Sequence, residues 1–225
     1  ASSPSGSATR TARAVDWRSE RSRPGFELPS EAAQALLAAL GERHPPTWEH
    51  ARATAEWGRR LAVAMASSPE ETAFVELCAA LHDIGTLLTP RVILLKSGPL
   101  TPAETAIVRE HAGAGRRILE RTPALARCAP VVGAHHERYD GRGYPDGLAG
   151  IDIPFAARVV AVADAFHAMI SDRPYRKALP PRAALEILRA GRGTQWDPDV
   201  VDAMLGFYRG AGAAEGSSAR KASSA

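Results

Sequence analysis

Two short stretches constrain this chain more than any others. Ser68-Pro69-Glu70-Glu71 and Thr101-Pro102-Ala103-Glu104 share one pattern: a hydroxyl residue, a proline, and a glutamate three residues on. The hydroxyl can accept from the third helical N–H while the glutamate reaches back to the cap, and proline suits the first helical position. Each therefore predicts the start of a helix, and related punctuation recurs along the chain. Ser30 is placed to cap a helix with Ala33, Leu36, Leu37 and Leu40 on one face, and Thr47 a second with His50, Trp57 and Leu61. The box at Ser68 opens a helix through Phe74, Leu77, Cys78 and Leu81, and the one at Thr101 a helix to about Glu120. Further helices are expected from Pro123 to His136, after Pro154, from Pro181 to Gly191, and after Asp197-Pro198. Strand-like alternation is scarce, so the body is read as all-α.

The ends differ. Residues 1–28 are rich in Ser, Ala, Arg and Pro without apolar periodicity and read as a disordered arm or linker; 211–225 read as a second tail. The folded domain is expected over 29–210. Net charge is +3, but the excess lies in the two ends and the body carries equal numbers of basic and acidic residues. A neutral body gives no general field for a polyanion, which argues against nucleic acid as a partner. Cys78 and Cys128 sit in apolar patterns without a CxxC and read as core residues of a reducing compartment. No apolar run is long enough to span a bilayer, so membrane insertion is not expected and the cytoplasm is the expected location.

Several polar residues do not fit an ordinary surface. His135 and His136 are adjacent, and neighbours on a helix point roughly 100° apart, so one apolar face cannot hide both. Each makes sense facing a ligand, and neutral imidazole is the commonest metal ligand. His50 lies on the inward side of its helix, His82-Asp83 ends a buried-looking one, and His111 stands beside Ile107 and Val108. Asp164 interrupts Val159-Val160-Ala161-Val162-Ala163, where a carboxylate is costly unless paired or coordinated. Any one of these alone is more readily a satisfied core or cap residue. Seven together, all nitrogen and oxygen donors, exceed one four-coordinate zinc and suit two metals with a bridging carboxylate and hydroxide. With no thiolate in the set, iron, manganese or zinc is expected.

These residues resemble the HD-GYP family, a subgroup of the HD metal-dependent phosphohydrolases. The resemblance covers about residues 45–208. It rests on His82-Asp83-Ile84-Gly85, Leu100-Thr101, His135-His136-Glu137, Asp140-Gly141-Arg142-Gly143-Tyr144-Pro145-Asp146-Gly147-Leu148, Ile153-Pro154, Ala157-Arg158, Val162-Ala163-Asp164, Arg173-Pro174-Tyr175 and Asp197-Pro198, in matching order and spacing. It implies an HD-domain helical bundle with the metal site in its core, and hydrolysis of cyclic di-GMP to pGpG or onward to GMP by a metal-bridging hydroxide. On it, His50, His82, Asp83 and Asp164 hold one metal and His111, His135 and His136 the other. Asp83 bridges, and His82 and Asp83 are the central catalytic pair. Arg173 and Arg176 match positions that face the substrate phosphates, where a guanidinium fork suits a phosphodiester. Gly143-Tyr144-Pro145 lies beside the site, with Tyr144 a substrate neighbour and the loop a contact for GGDEF-type cyclases.

Three positions depart from the family pattern. A glutamate four residues before His50 is replaced by Pro46, which implies two metals rather than three. The lysine after His-Asp-Ile-Gly is Thr86, a substrate-facing position that has lost its cation. The acid three residues after Asp164 is His167, which is expected to face the same site and to meet Thr86. Two other readings stay open: a hydrolase of another cyclic dinucleotide or phosphoester, and a non-hydrolytic sensor or docking module.

Overall fold

The computed structural model describes residues 30–172 and 176–207. Eight helices follow in order: α1 Glu31–Arg43, α2 Pro45–Ala64, α3 Pro69–Leu81, α4 Arg91–Leu94, α5 Pro102–Glu120, α6 Ala129–Ala134, α7 Phe155–Ile170 and α8 Pro181–Ala190. A ninth, α9, covers 198–207. Tight 3-10 turns span Ile84–Leu88, Pro123–Cys128 and Gly150–Asp152. No strand occurs among the described residues, and the chain is all-α. The arm at 1–28 and the tail at 211–225 lie outside the described residues.

Both capping boxes form. Ser68 Oγ accepts from Glu71 N at 3.1 Å while Glu71 Oε2 accepts from Ser68 N at 2.9 Å. Thr101 Oγ1 accepts from Glu104 N at 3.2 Å while Glu104 Oε2 accepts from Thr101 N at 2.7 Å. The start of α2 corrects the sequence expectation. His44 is the cap, its Nδ1 accepting from Thr47 N at 3.2 Å, and Thr47 lies inside the helix. Pro45 and Pro46 supply pre-set φ angles and no N–H, so the helix begins earlier than the hydroxyl suggested. The segment from Pro123 to His136 is likewise not one helix. It starts as a 3-10 turn, becomes α6, and ends at Ala134.

The core lies where α2, α3 and α7 pack together. Gly58 lets α2 approach α3, since a Cβ there would stand 3.2 Å from the Ala79 Cβ. Trp57 meets Phe166 edge to face, centroids 4.8 Å apart, bringing α2 onto α7. The Ile84–Leu88 turn lies directly on α5. A Cβ on Gly85 would stand 1.9 Å from the His111 carbonyl oxygen and 2.5 Å from Gly115 N. Only glycine permits that approach, and it sets His82-Asp83 against His111. Arg158, near the start of α7, donates from Nε to the Ile153 carbonyl at 3.0 Å and from Nη1 to the buried Asp197 carboxylate. Asp197 also accepts from Asp199 N at 2.8 Å, so one side chain caps α9 and ties it to α7. No helix among the described residues is long and apolar enough to cross a membrane.

Candidate metal centre

The helices deliver the polar residues to one place. His50 comes from the middle of α2, His82 and Asp83 from the end of α3, His111 from α5, His135 and His136 from the end of α6, and Asp164 from α7. Two groups of donors are close enough to share an ion: His50, His82 and Asp83, and His111, His135 and His136, each with ligand atoms within 4.8 Å of one another. Asp164 joins the first group, its Oδ1 2.8 Å from His50 Nε2. Asp83 stands between them. Its Oδ2 is 3.4 Å from His82 Nε2, and its Oδ1 is 3.3 Å from His111 Nε2.

Tautomers can be read from the backbone. His82 Nδ1 lies 2.7 Å from the Ala79 carbonyl, His111 Nδ1 2.6 Å from Val108, and His135 Nδ1 2.6 Å from Val132. A carbonyl only accepts, so each Nδ1 carries the hydrogen and each Nε2 of the neutral ring presents a lone pair. His111 Nε2 and His135 Nε2 are 3.2 Å apart, and His82 Nε2 is buried without a hydrogen-bond partner. Buried acceptors converging on one another are unfavourable unless a cation draws them together. The donor set therefore fits metal ions of the nitrogen- and oxygen-liganded class. Cys78 and Cys128 are buried elsewhere in the core.

Electrostatics agree with the geometry. Burial alone would raise the Asp83 carboxyl, but His82, His111 and His50 around it hold it well below the usual range. Asp164 is held down in the same way against burial, chiefly by His50. Burial, reinforced by the neighbouring imidazoles, pushes His135 well below its ordinary value, and burial brings His136 to about 4. Burial also opposes charge on His82, yet the adjacent Asp83 carboxylate outweighs it and lifts the ring to about 9. The ionised carboxylates and the neutral His135 and His136 are in the forms that bind metal, whereas His82 carries a proton that an arriving cation would displace.

The remaining expected residues are distributed as follows. Tyr144 stacks on His136, centroids 4.9 Å apart, and the Arg109 guanidinium carbon lies over the Tyr144 ring, 5.0 Å from its centroid. Burial pushes its phenol up, so it stays protonated. Thr86 is buried and donates from Oγ1 to the Asp83 carbonyl at 2.7 Å, so its hydroxyl braces the metal-site backbone. Arg176 is exposed and its Nη2 donates to the Ala168 carbonyl at 2.6 Å, at the end of α7. Arg173 lies outside the described residues. Pro46, Glu49, His50, Lys96 and His167 line a cleft of about 400 Å³ that opens beside the first donor group.

Sequence reasoning gave no role to Glu137, which the structure makes central. It is 4% exposed, and its Oε1 accepts from Asp146 N at 2.7 Å and Gly147 N at 3.0 Å. The loop that carries Tyr144 is thus folded back onto the residue after His136. Gly143 completes the fold-back, because a Cβ there would stand 2.3 Å from Arg138 N. A glutamate directly after two candidate ligands was the available signal.

Known proteins resemble this chain in sequence and in fold. The HD domain family profile matches residues 34–200. The chain is 46% identical over 140 residues to the cyclic di-GMP phosphodiesterase response regulator RpfG of Xanthomonas campestris, covering 61% of this chain and 37% of that protein. It is 40% identical over 173 residues to a cyclic di-GMP phosphodiesterase of Thermotoga maritima, covering 76% of this chain and 47% of that protein. The chain thus spans less than half the length of these curated relatives. An HDG"Y"P protein from Bdellovibrio bacteriovorus shares the fold, with a TM-score of 0.59 and 21% identity over 76% of this chain and 56% of that one.

Proposed function

This chain belongs to the HD-domain family, in its HD-GYP branch, and we propose that it hydrolyses cyclic di-GMP to pGpG, and onward to GMP, at a binuclear metal site. The observation that carries the reading is that His82 and His111 each turn Nε2 to a different oxygen of Asp83, with His135 Nε2 beside that of His111. His50, His82, Asp83 and Asp164 would hold one ion, and His111, His135 and His136 the other, with Asp83 reaching both. Iron or manganese suits this imidazole and carboxylate set best, and zinc is the alternative. When bound, the ions supply a nucleophile at neutral pH and neutralise charge building up on the phosphodiester.

The chain's own groups do the rest. Asp83 and His82 fix the centre of the site, the one through two oxygens and the other through a tautomer locked by Ala79. The cleft beside His50 receives the dinucleotide, with Tyr144 flanking His136 and Lys96 on the rim. Arg173 and Arg176 would meet phosphate as the substrate enters, Arg176 leaving its helix carbonyl to do so. Thr86 would shape the pocket floor through Asp83 rather than bind phosphate as a cation. The exposed edge of the Gly143-Tyr144-Pro145 loop is where a GGDEF-domain protein would dock. The reading places the protein in the cytoplasm with its substrate.

The loss of a cation at position 86 also supports a second reading, a different cyclic dinucleotide as preferred substrate. One experiment decides. Purified chain is loaded anaerobically with ferrous iron or manganese and given cyclic di-GMP or 3',3'-cyclic GMP-AMP in parallel. Rapid pGpG formation supports the first reading, preference for the mixed dinucleotide the second, and binding without turnover a docking module. Asp83→Ala should lose both metal loading and turnover; activity surviving that change would sink the mechanism.

A further inference from the structure

Three of the histidines owe their orientation to the backbone, but His50 does not. His82, His111 and His135 each give the Nδ1 hydrogen to the carbonyl three residues before. His50 Nδ1 instead lies 2.7 Å from the Nδ1 of His167, with the two rings stacked at 4.9 Å. Two imidazole nitrogens this close share one hydrogen, so one ring donates and the other accepts.

Ser171 decides which. Its hydroxyl is 2.8 Å from the His167 carbonyl, which can only accept, so the single hydroxyl hydrogen is used there. Ser171 Oγ is also 2.9 Å from His167 Nε2, and with its hydrogen already placed it can only accept from that nitrogen. His167 Nε2 therefore carries the hydrogen, and the Nδ1 of the neutral ring presents a lone pair. His50 Nδ1 donates to it. His50 Nε2 faces Asp164 Oδ1 at 2.8 Å, a hydrogen-bond distance, and a bound ion would take the place of the hydrogen between them.

We propose that His167, locked by Ser171, is the positioning residue for His50. It supplies the acceptor that the backbone supplies to the other three rings, so that His50 presents Nε2 to the ion it shares with Asp164. The inference rests on the two-metal reading above and deepens it, giving a function to a residue that departs from the family pattern. A partner on the far nitrogen of a liganding histidine fixes ring orientation, and removing such a partner weakens metal binding by about 10–100-fold.

Cobalt(II) titration of the metal-free chain, followed by visible absorption without substrate, tests this. Wild type should take up two equivalents. His167→Phe keeps the stacked ring and removes the acceptor; one equivalent should weaken by about 10–100-fold and its absorption band should change. His167→Asn places an amide oxygen close to where Nδ1 stood and should restore most of the affinity. The thermal midpoint in chelator should be the same for all three chains, which a merely structural role would not give. His167→Ala carries the same test should the phenylalanine variant not fold. Two tight equivalents with an unchanged spectrum in His167→Phe or His167→Ala would overturn the proposal. So would a wild-type chain that binds no cobalt. A chain that loads two ions normally but leaves cyclic di-GMP intact overturns the substrate assignment and not the part of His167.

Discussion

At the scale of single residues, the site divides into donors and the groups that hold them. The donors were legible in the sequence because each interrupts an apolar pattern. Asp164 within a run of valine and alanine, and His135 beside His136, have no comfortable reading as surface residues. The holders were not legible, because their partners are distant in the chain or are backbone atoms. Glu137 binds amides nine and ten residues later, and His167 meets His50 across 117 positions. Local periodicity marks neither partner, although the one-turn spacing from Asp164 did place His167 at the site, where it meets His50. Glu137→Ala should release the Asp146 and Gly147 N–H groups, which can turn to water, so the cost should stay near the net value of a hydrogen bond, about 0.5–1.5 kcal/mol each. It should also free the loop around Tyr144 from the site. Amide exchange at Asp146 and Gly147 would read this directly, rising well before global unfolding. Glu137→Gln, which keeps an acceptor oxygen, should behave far more like wild type.

At the scale of elements, helix starts were readable where side chains do the capping and misread where proline does. Ser68 and Thr101 carry their own acceptors, whereas α2 begins at two prolines behind a histidine cap that the sequence pattern did not suggest. The 3-10 turn at Ile84–Leu88 was invisible for another reason: its shape follows from the surface of α5. Gly85→Ala should therefore be severe. Its Cβ meets backbone rather than a flexible side chain, so the turn must move off α5, with an overpacking cost of at least about 1–3 kcal/mol. Denaturant unfolding should show the loss, and metal titration should show His82-Asp83 parting from His111. The α5 cap gives a pH prediction. The hydrogen bond from Lys96, then that from Thr101 N, hold Glu104 at about 2, below its ordinary 4.5. A depressed carboxyl stabilises the fold above its unfolded value and loses that contribution as pH falls from about 4.5 towards 2. Glu104→Gln should flatten that part of the stability profile, measured against wild type by chemical unfolding at each pH.

At the scale of the whole molecule, the bundle is closed by one buried ion pair. Arg158 and Asp197 join the start of α7 to the cap of α9, with Asp197 almost wholly enclosed. Breaking such a pair leaves a charge without a partner and costs about 3–5 kcal/mol; the 18% exposure of Arg158 favours the lower figure. Asp197→Ala should thus lower the unfolding midpoint sharply, while leaving the seven donors themselves untouched. The all-α class and the gathering of the donors were readable from the sequence, but this closure was not, since the two residues stand in separate motifs and either could have faced solvent. The ends of α3 and α6 have a consequence of another kind. Both helices end at candidate donors, and their last-turn carbonyls accept from those imidazoles, so it is the ionised Asp83 and Asp164 that give the centre its negative potential. A phosphodiester is itself an anion and is repelled from that cradle until cations occupy it. Loading and substrate capture are therefore thermodynamically linked and must strengthen each other by the same factor. On the proposed reading, the empty protein should bind cyclic di-GMP weakly or not at all, and saturating dinucleotide should slow the escape of the ions.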